Sequence, residues 1–138
     1  MNIDSITNGI VIAHIAAGRG MQLYHLLNLD ELDCSVAIIK NVHSQKMGRK
    51  DIIKVDADID LDIDAIGYVD PNATGNIIRD GLLVEQRDIW LPETLTNVIR
   101  CKNPRCITST EQELKQVFKL TDRAKREYRC IYCETKVK

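Results

Sequence analysis

The sequence predicts an α+β protein in two parts, an antiparallel sheet covered by two helices and then a small β-rich module. Three observations carry this reading. Short apolar, β-branched runs alternate with two segments of helical period through the first part of the chain. Apolar residues thin out after Leu91-Pro92-Glu93, and four of the five cysteines crowd into the last 38 residues. A chain of 138 residues allows one ordinary domain, or one plus a satellite that needs help to stay folded. With 44% hydrophobic and 28% charged residues it is globular rather than disordered. No apolar run approaches the ~20 residues needed to cross a bilayer, and MNIDSITNG lacks the basic start and apolar stretch of a secretory signal. A cytoplasmic protein with no membrane partner is expected.

Gly9–Ile15 (GIVIAHI), bounded by Asn8-Gly9 and Gly18, reads as a strand. From Arg19 to Leu29, Leu23, Leu26 and Leu27 recur at helical spacing with Met21 and Tyr24 beside them. Ser35–Val42 and Lys50–Ala57 read as a hairpin joined by the polar segment His43-Ser44-Gln45-Lys46-Met47-Gly48. Leu61–Val69 reads as a second helix, with Asp58 or Asp60 as its cap. Asp70-Pro71-Asn72 turns the chain into Ala73–Asp80 and, after Gly81, Leu82–Ile89, another strand pair. The order βαββαβ(β) is that of a ferredoxin-like sandwich, an antiparallel sheet with both helices on one face. Residues 1–92 are expected to form it, and residues 93–138 a separate module with too few apolar side chains for a conventional core.

The spacing Cys101-x4-Cys106-x23-Cys130-x2-Cys133 supplies that module's staple. Two thiolate pairs on two loops can converge on one tetrahedral ion at about 2.3 Å, and a shell of four cysteines is a common structural zinc site. Four protein ligands leave no open position, so such a Zn2+ ion folds the chain and activates no water. An all-sulfur site also accepts iron. Lys102, Arg105 and Arg129 are expected to favour the thiolates. Cys34, alone in the first part, reads as a small buried hydrophobe. The charge divides along the same line, with 8 basic against 15 acidic residues over 1–95 and 11 against 5 over 96–138.

With GIVIAHI, MGRKDIIKVD (Met47–Asp56), LPETLTNVIRC (Leu91–Cys101) and the four-cysteine spacing in this order, the chain resembles the regulatory chains of aspartate carbamoyltransferase, an enzyme of pyrimidine biosynthesis. The resemblance implies a non-catalytic polypeptide. Its first domain would bind nucleotide effectors and pair two regulatory chains, and its zinc domain would dock on the catalytic chain. Six catalytic and six regulatory chains would assemble as two trimers bridged by three dimers.

Carried over by position, the resemblance makes His14 a phosphate-side residue and Lys54 the lysine reaching ribose and base. Ile6, Val11, Asn76, Ile78 and Leu83 fall at base-pocket positions. Two family features are missing, since Ala13 stands where an aspartate is usual and Gln86 where a second phosphate-binding lysine is expected. Arg87 adjoins Gln86 but can replace it only through a register shift or bulge, because adjacent strand residues point to opposite faces. Losing one carboxylate and one ammonium costs roughly 2–3 kcal/mol of affinity, about 30- to 150-fold. Control by CTP, UTP or ATP is therefore expected to be weaker, altered in preference or absent.

From the residues alone, His14 also reads as a structural histidine, and Lys40, Lys46, Arg49 and Lys50 as a solvated hairpin face. The series Asp56, Asp58, Asp60, Asp62, Asp64 lacks the glycine and glutamate of a calcium loop and reads as a solvated turn and cap. The rival function is a zinc-ribbon nucleic-acid binder, favoured by the basic tail but opposed by the acidic first part and by only one Trp, one Phe and four Tyr. No paired carboxylates, nucleophile motif or open metal site points to an enzyme.

Overall fold

The computed structural model describes residues 6–45 and 48–137. Lys46 and Met47 of the expected hairpin turn lie outside the described residues. Two compact units divide after Trp90, the second being Leu91–Lys138.

In the first unit the order is β1 (Gly9–Ala16), α1 (Gly20–Leu26), β2 (Val36–Ser44), β3 (Gly48–Val55), α2 (Ile63–Val69), β4 (Thr74–Arg79) and β5 (Leu82–Asp88). The strands lie side by side as β2-β3-β1-β4-β5, every neighbouring pair antiparallel. β3 separates the two ends of the α1 crossover, and β1 separates the two ends of the α2 crossover. This is the split βαβ order the sequence predicts, with β5 added at one edge. Leu23 of α1 and Ile66 and Val69 of α2 pack with Ile10, Ile12, Ile15, Ile53 and Val55 in one core. Both helices thus cover the same face of the sheet. Cys34 is half-buried against this core, as its apolar character predicts.

Two local expectations are corrected. The first helix stops at Leu26 rather than Leu29, because Asn28 turns left-handed (φ 54°) and Leu29–Glu31 closes as a short 3-10 turn. The cap of α2 is Asp62, whose Oδ1 accepts from the Ala65 N–H at 3.1 Å; Asp58 instead pairs with Arg79 at 3.2 Å. Only the residue directly before the first helical turn can reach the third N–H, which excludes Asp58 and Asp60.

Asp51 of β3 is wholly buried, and its carboxylate collects three backbone N–H groups. Oδ1 accepts from Asn41 at 3.0 Å, and Oδ2 from Gly18 at 3.0 Å and Gly20 at 2.9 Å. The N–H groups of Gly18 and Gly20 belong to the turn into α1, where a Cβ on Gly20 would stand 2.8 Å from Asp51 Oδ2 and Gly18 has φ +94°. On either side of β3 the neighbouring strand carries one extra residue. Ala13 and His14 of β1 together oppose Ile52, and Lys40 and Asn41 of β2 together oppose Asp51. His14 (φ 59°) and Asn41 (φ 60°) take the left-handed conformation that these bulges require.

The second unit is a three-stranded antiparallel sheet of β6 (Thr94–Thr96), β7 (Val117–Asp122) and β8 (Glu127–Cys130), in that order. Its buried side chains are few, with Leu95, Phe118 and Tyr128 the largest apolar ones. The Tyr128 hydroxyl donates to the Pro92 carbonyl.

Replacing Asp51 by Ala strands three N–H groups at once, and at roughly 1–3 kcal/mol for each unsatisfied donor the first unit should lose at least about 3 kcal/mol. Urea unfolding of the Asp51→Ala chain measures this; a loss below about 1 kcal/mol would contradict the assigned role.

Candidate metal centre and open sheet face

Cys101 and Cys106 lie on the loop after β6, Cys130 ends β8, and Cys133 sits in the turn that follows. Their four sulfur atoms all lie within 4.8 Å of one another, with Cys101–Cys133 at 3.6 Å and Cys106–Cys130 at 3.7 Å. A tetrahedron of metal–sulfur bonds of about 2.3 Å has edges of about 3.8 Å, so the donor set fits one closed-shell ion.

The surroundings orient these sulfurs. Thr108 Oγ1 donates to Cys106 Sγ at 3.1 Å. Thr135 Oγ1 lies 3.1 Å from Cys133 Sγ while accepting from Asn103 Nδ2 at 2.9 Å, which leaves its hydroxyl proton for the sulfur. Buried Gln116 takes the Cys101 N–H on its Oε1 at 2.9 Å, and its own N–H donates to Asn97 Oδ1 at 2.9 Å, tying the first knuckle to the sheet. Sequence reasoning passed over these groups. A threonine two places after both Cys106 and Cys133 was their legible trace.

Burial pushes the Cys101 thiol up to about 12 and raises that of Cys130, whereas the Thr135 hydroxyl pulls Cys133 down to about 6. The favourable contributions lead with hydrogen bonds from Thr135 and from the backbone at Asn103 and Cys133. Arg129, expected to stabilise the thiolates, is instead engaged by Glu127 at 3.4 Å and by the Glu134 carbonyl at 3.0 Å. Desolvated thiols held this close ionise together only around a cation.

In the first unit the sheet face opposite the helices carries the other sequence-predicted residues. Side chains directly opposite in register share a face, so Lys54 (β3), Val11 (β1), Asn76 (β4) and Gln86 (β5) form one row across the sheet. Asn76 Nδ2 donates to the Val11 carbonyl at 3.1 Å. On one side of this row Ile78 faces Leu83, beside Gly9, and Ile6 Cγ2 comes within 2.9 Å of where a Gly9 Cβ would be. On the other side Ala13, Thr74 and Asp88 make the next row, and His14 Nδ1 bonds Thr74 Oγ1 at 3.0 Å. The bulge brings His14 to this face, which simple alternation along a strand does not reveal. Arg87 does not replace Gln86. The extra residue of β5 is Val84, too far along to change the register at Gln86, and Arg87 pairs with Gly75 on the helix side, its Nε 3.1 Å from Glu85. Lys40 and Arg49 of the hairpin are exposed, as expected of a solvated face, and Lys50 is half-buried.

Residues 1–89 match the family described as aspartate carbamoyltransferase regulatory chain, allosteric domain, and residues 93–138 its metal binding domain. Among similar proteins are three named aspartate carbamoyltransferase regulatory chain. That of Clostridium tetani is 48% identical, covering 97% of this chain and 94% of its own length. That of Clostridium botulinum strain Hall is 46% identical, covering 97% and 92%. That of Bifidobacterium longum is 41% identical, covering 100% and 99%.

Loading the thiol site with Zn2+ at pH 7 should release at least two protons per ion, since Cys101 and Cys130 start protonated and Cys133 starts mostly ionised. Protons compete with the ion, so affinity should fall steadily as pH is lowered. A pH-stat titration with metal analysis checks both points, and Cys106→Ser should reduce bound metal to background.

Proposed function

The chain belongs to the family of aspartate carbamoyltransferase regulatory chains, with an allosteric and a metal-binding domain, and from this premise we propose its detailed role. It performs no carbamoyl transfer itself. Residues 1–92 pair with a second copy and hold a nucleotide effector, while residues 93–138, folded around one structural zinc ion on Cys101, Cys106, Cys130 and Cys133, dock on the catalytic chain. In the cytoplasm, three such dimers bridge two catalytic trimers in a dodecamer of six and six chains.

The observation that carries this reading is the gathering of four sulfurs at tetrahedral spacing inside the segment that matches the metal binding domain. A closed four-thiolate ion supplies cross-linking and no catalytic water. It also offsets the small apolar core around Leu95, Phe118 and Tyr128, since zinc-finger peptides gain roughly 10–16 kcal/mol from their ion. The family match across both parts favours this role over a zinc-ribbon nucleic-acid binder. The basic tail then steers docking toward an acidic patch on the catalytic chain.

Nucleotide control runs through the sheet face away from the helices. Ile6, Ile78 and Leu83 provide apolar walls for a base, Val11, Asn76 and Lys54 lie at its middle, and His14 stands at the far side.

Light scattering of this chain mixed with its cognate catalytic trimer should report the dodecamer mass, and stripping the metal or introducing Cys106→Ser should return free trimers. Persistence of the assembly without metal would sink the zinc-dependent docking; assembly indifferent to high salt would sink only its electrostatic steering.

A further inference from the structure

The face assigned to the effector is ordered from apolar to polar along the strands. Thr74, Asn76 and Ile78 of β4 share it, with Asp88, Gln86 and Leu83 opposite them on β5. Ile78 and Thr74 lie four residues apart along β4, about 13 Å, enough to separate a base from the groups at the other end of its nucleotide. A base set against Ile78 and Leu83 sends its phosphates along the strands toward His14, Thr74 and Asp88.

The positive charges of this face fall on one side only. Lys54 and, further on, Lys50 lie on β3, where Lys50 is paired with Ala16 of β1. Across β1 the same face offers the neutral amide of Gln86 and then the carboxylate of Asp88, both exposed. The nearby guanidinium of Arg87 is on the opposite face with Glu85, and that of Arg79 is held by Asp58 at the far end of β4. Each further phosphate directed to the β5 side adds negative charge facing the Asp88 carboxylate, while both lysines of the face stand on the β3 side.

Building on the nucleotide reading above, we infer that Gln86 and Asp88 set the phosphate selectivity of this face, so that added phosphates bring no affinity: nucleoside monophosphates bind as well as triphosphates. A charged hydrogen bond is worth roughly 1.5–3 kcal/mol, or about 10- to 150-fold in affinity, and a site with that bond discriminates by phosphate count where this one does not.

Calorimetric titration of the full chain with CMP, CDP and CTP, and with AMP, ADP and ATP, in magnesium-free buffer tests this. In each series the affinities should span less than about fivefold. Gln86→Lys, a substitution on an exposed edge strand, should tighten the triphosphates by about tenfold and leave the monophosphates within about threefold. Asp88→Asn should shift the same ratio in the same direction. A native preference for triphosphate above about fivefold, or a Gln86→Lys chain with no new preference, overturns the inference while leaving the effector face standing. Heat from none of the six nucleotides, with an unchanged melting curve, removes the effector reading and the inference with it.

Discussion

The geometry of the first unit hangs on the buried carboxylate of Asp51. A carboxylate has no low-energy state inside a core unless its oxygens are saturated with donors, and here three backbone N–H groups from two separate segments saturate them. The turn into α1 and the bulge of β2 are thereby tied to the middle of β3. The position is steeply specified, because Gly20 has no room for a side chain beside the carboxylate. Asp70 repeats the device at the end of β1, accepting from the Ala16 N–H at 2.7 Å and the Asn72 N–H at 2.9 Å. Two buried acids thus fix the strand ends that an apolar core alone would leave free to slide.

The bulges decide which side chains reach the sheet face that the helices leave uncovered. A strand that alternates without interruption would send His14 to the side opposite Ala13, into the helices. The extra residue in β1 breaks that alternation, and His14 comes to bond Thr74 on the face the helices leave uncovered. The strain of a left-handed histidine, of the order of 1 kcal/mol, is held in place by the paired strands around it.

The second unit solves a different problem with different chemistry. Its apolar core is too small to offset the entropy of ordering its loops. Paired thiols on two loops, each supported by a threonine two residues on, replace hydrophobic area with metal–ligand bonds. Gln116 is the mechanical link between that knot and the strands, since its backbone and side chain bond in opposite directions. A unit built this way is only as rigid as the ion that its thiols hold.

Local chemistry was legible in the sequence by itself. Periods of two and 3.6 marked the strands and helices, the Cys101-to-Cys133 spacing marked the four-sulfur cluster, and the shift in charge marked the two parts. These signals survive because each depends on near neighbours. Only the tertiary structure decided matters of register and of burial across distant segments. It placed Asp62 rather than Asp58 or Asp60 at the helix cap, turned His14 outward through a bulge, and put Arg87 on the helix side, leaving Gln86 and Asp88 on the face away from the helices. It also buried Asp51 against N–H groups that lie as far as 33 residues away in the chain. A one-residue slip reverses every side chain in a strand, and nothing in a strand's own residues records where its neighbour inserts an extra one.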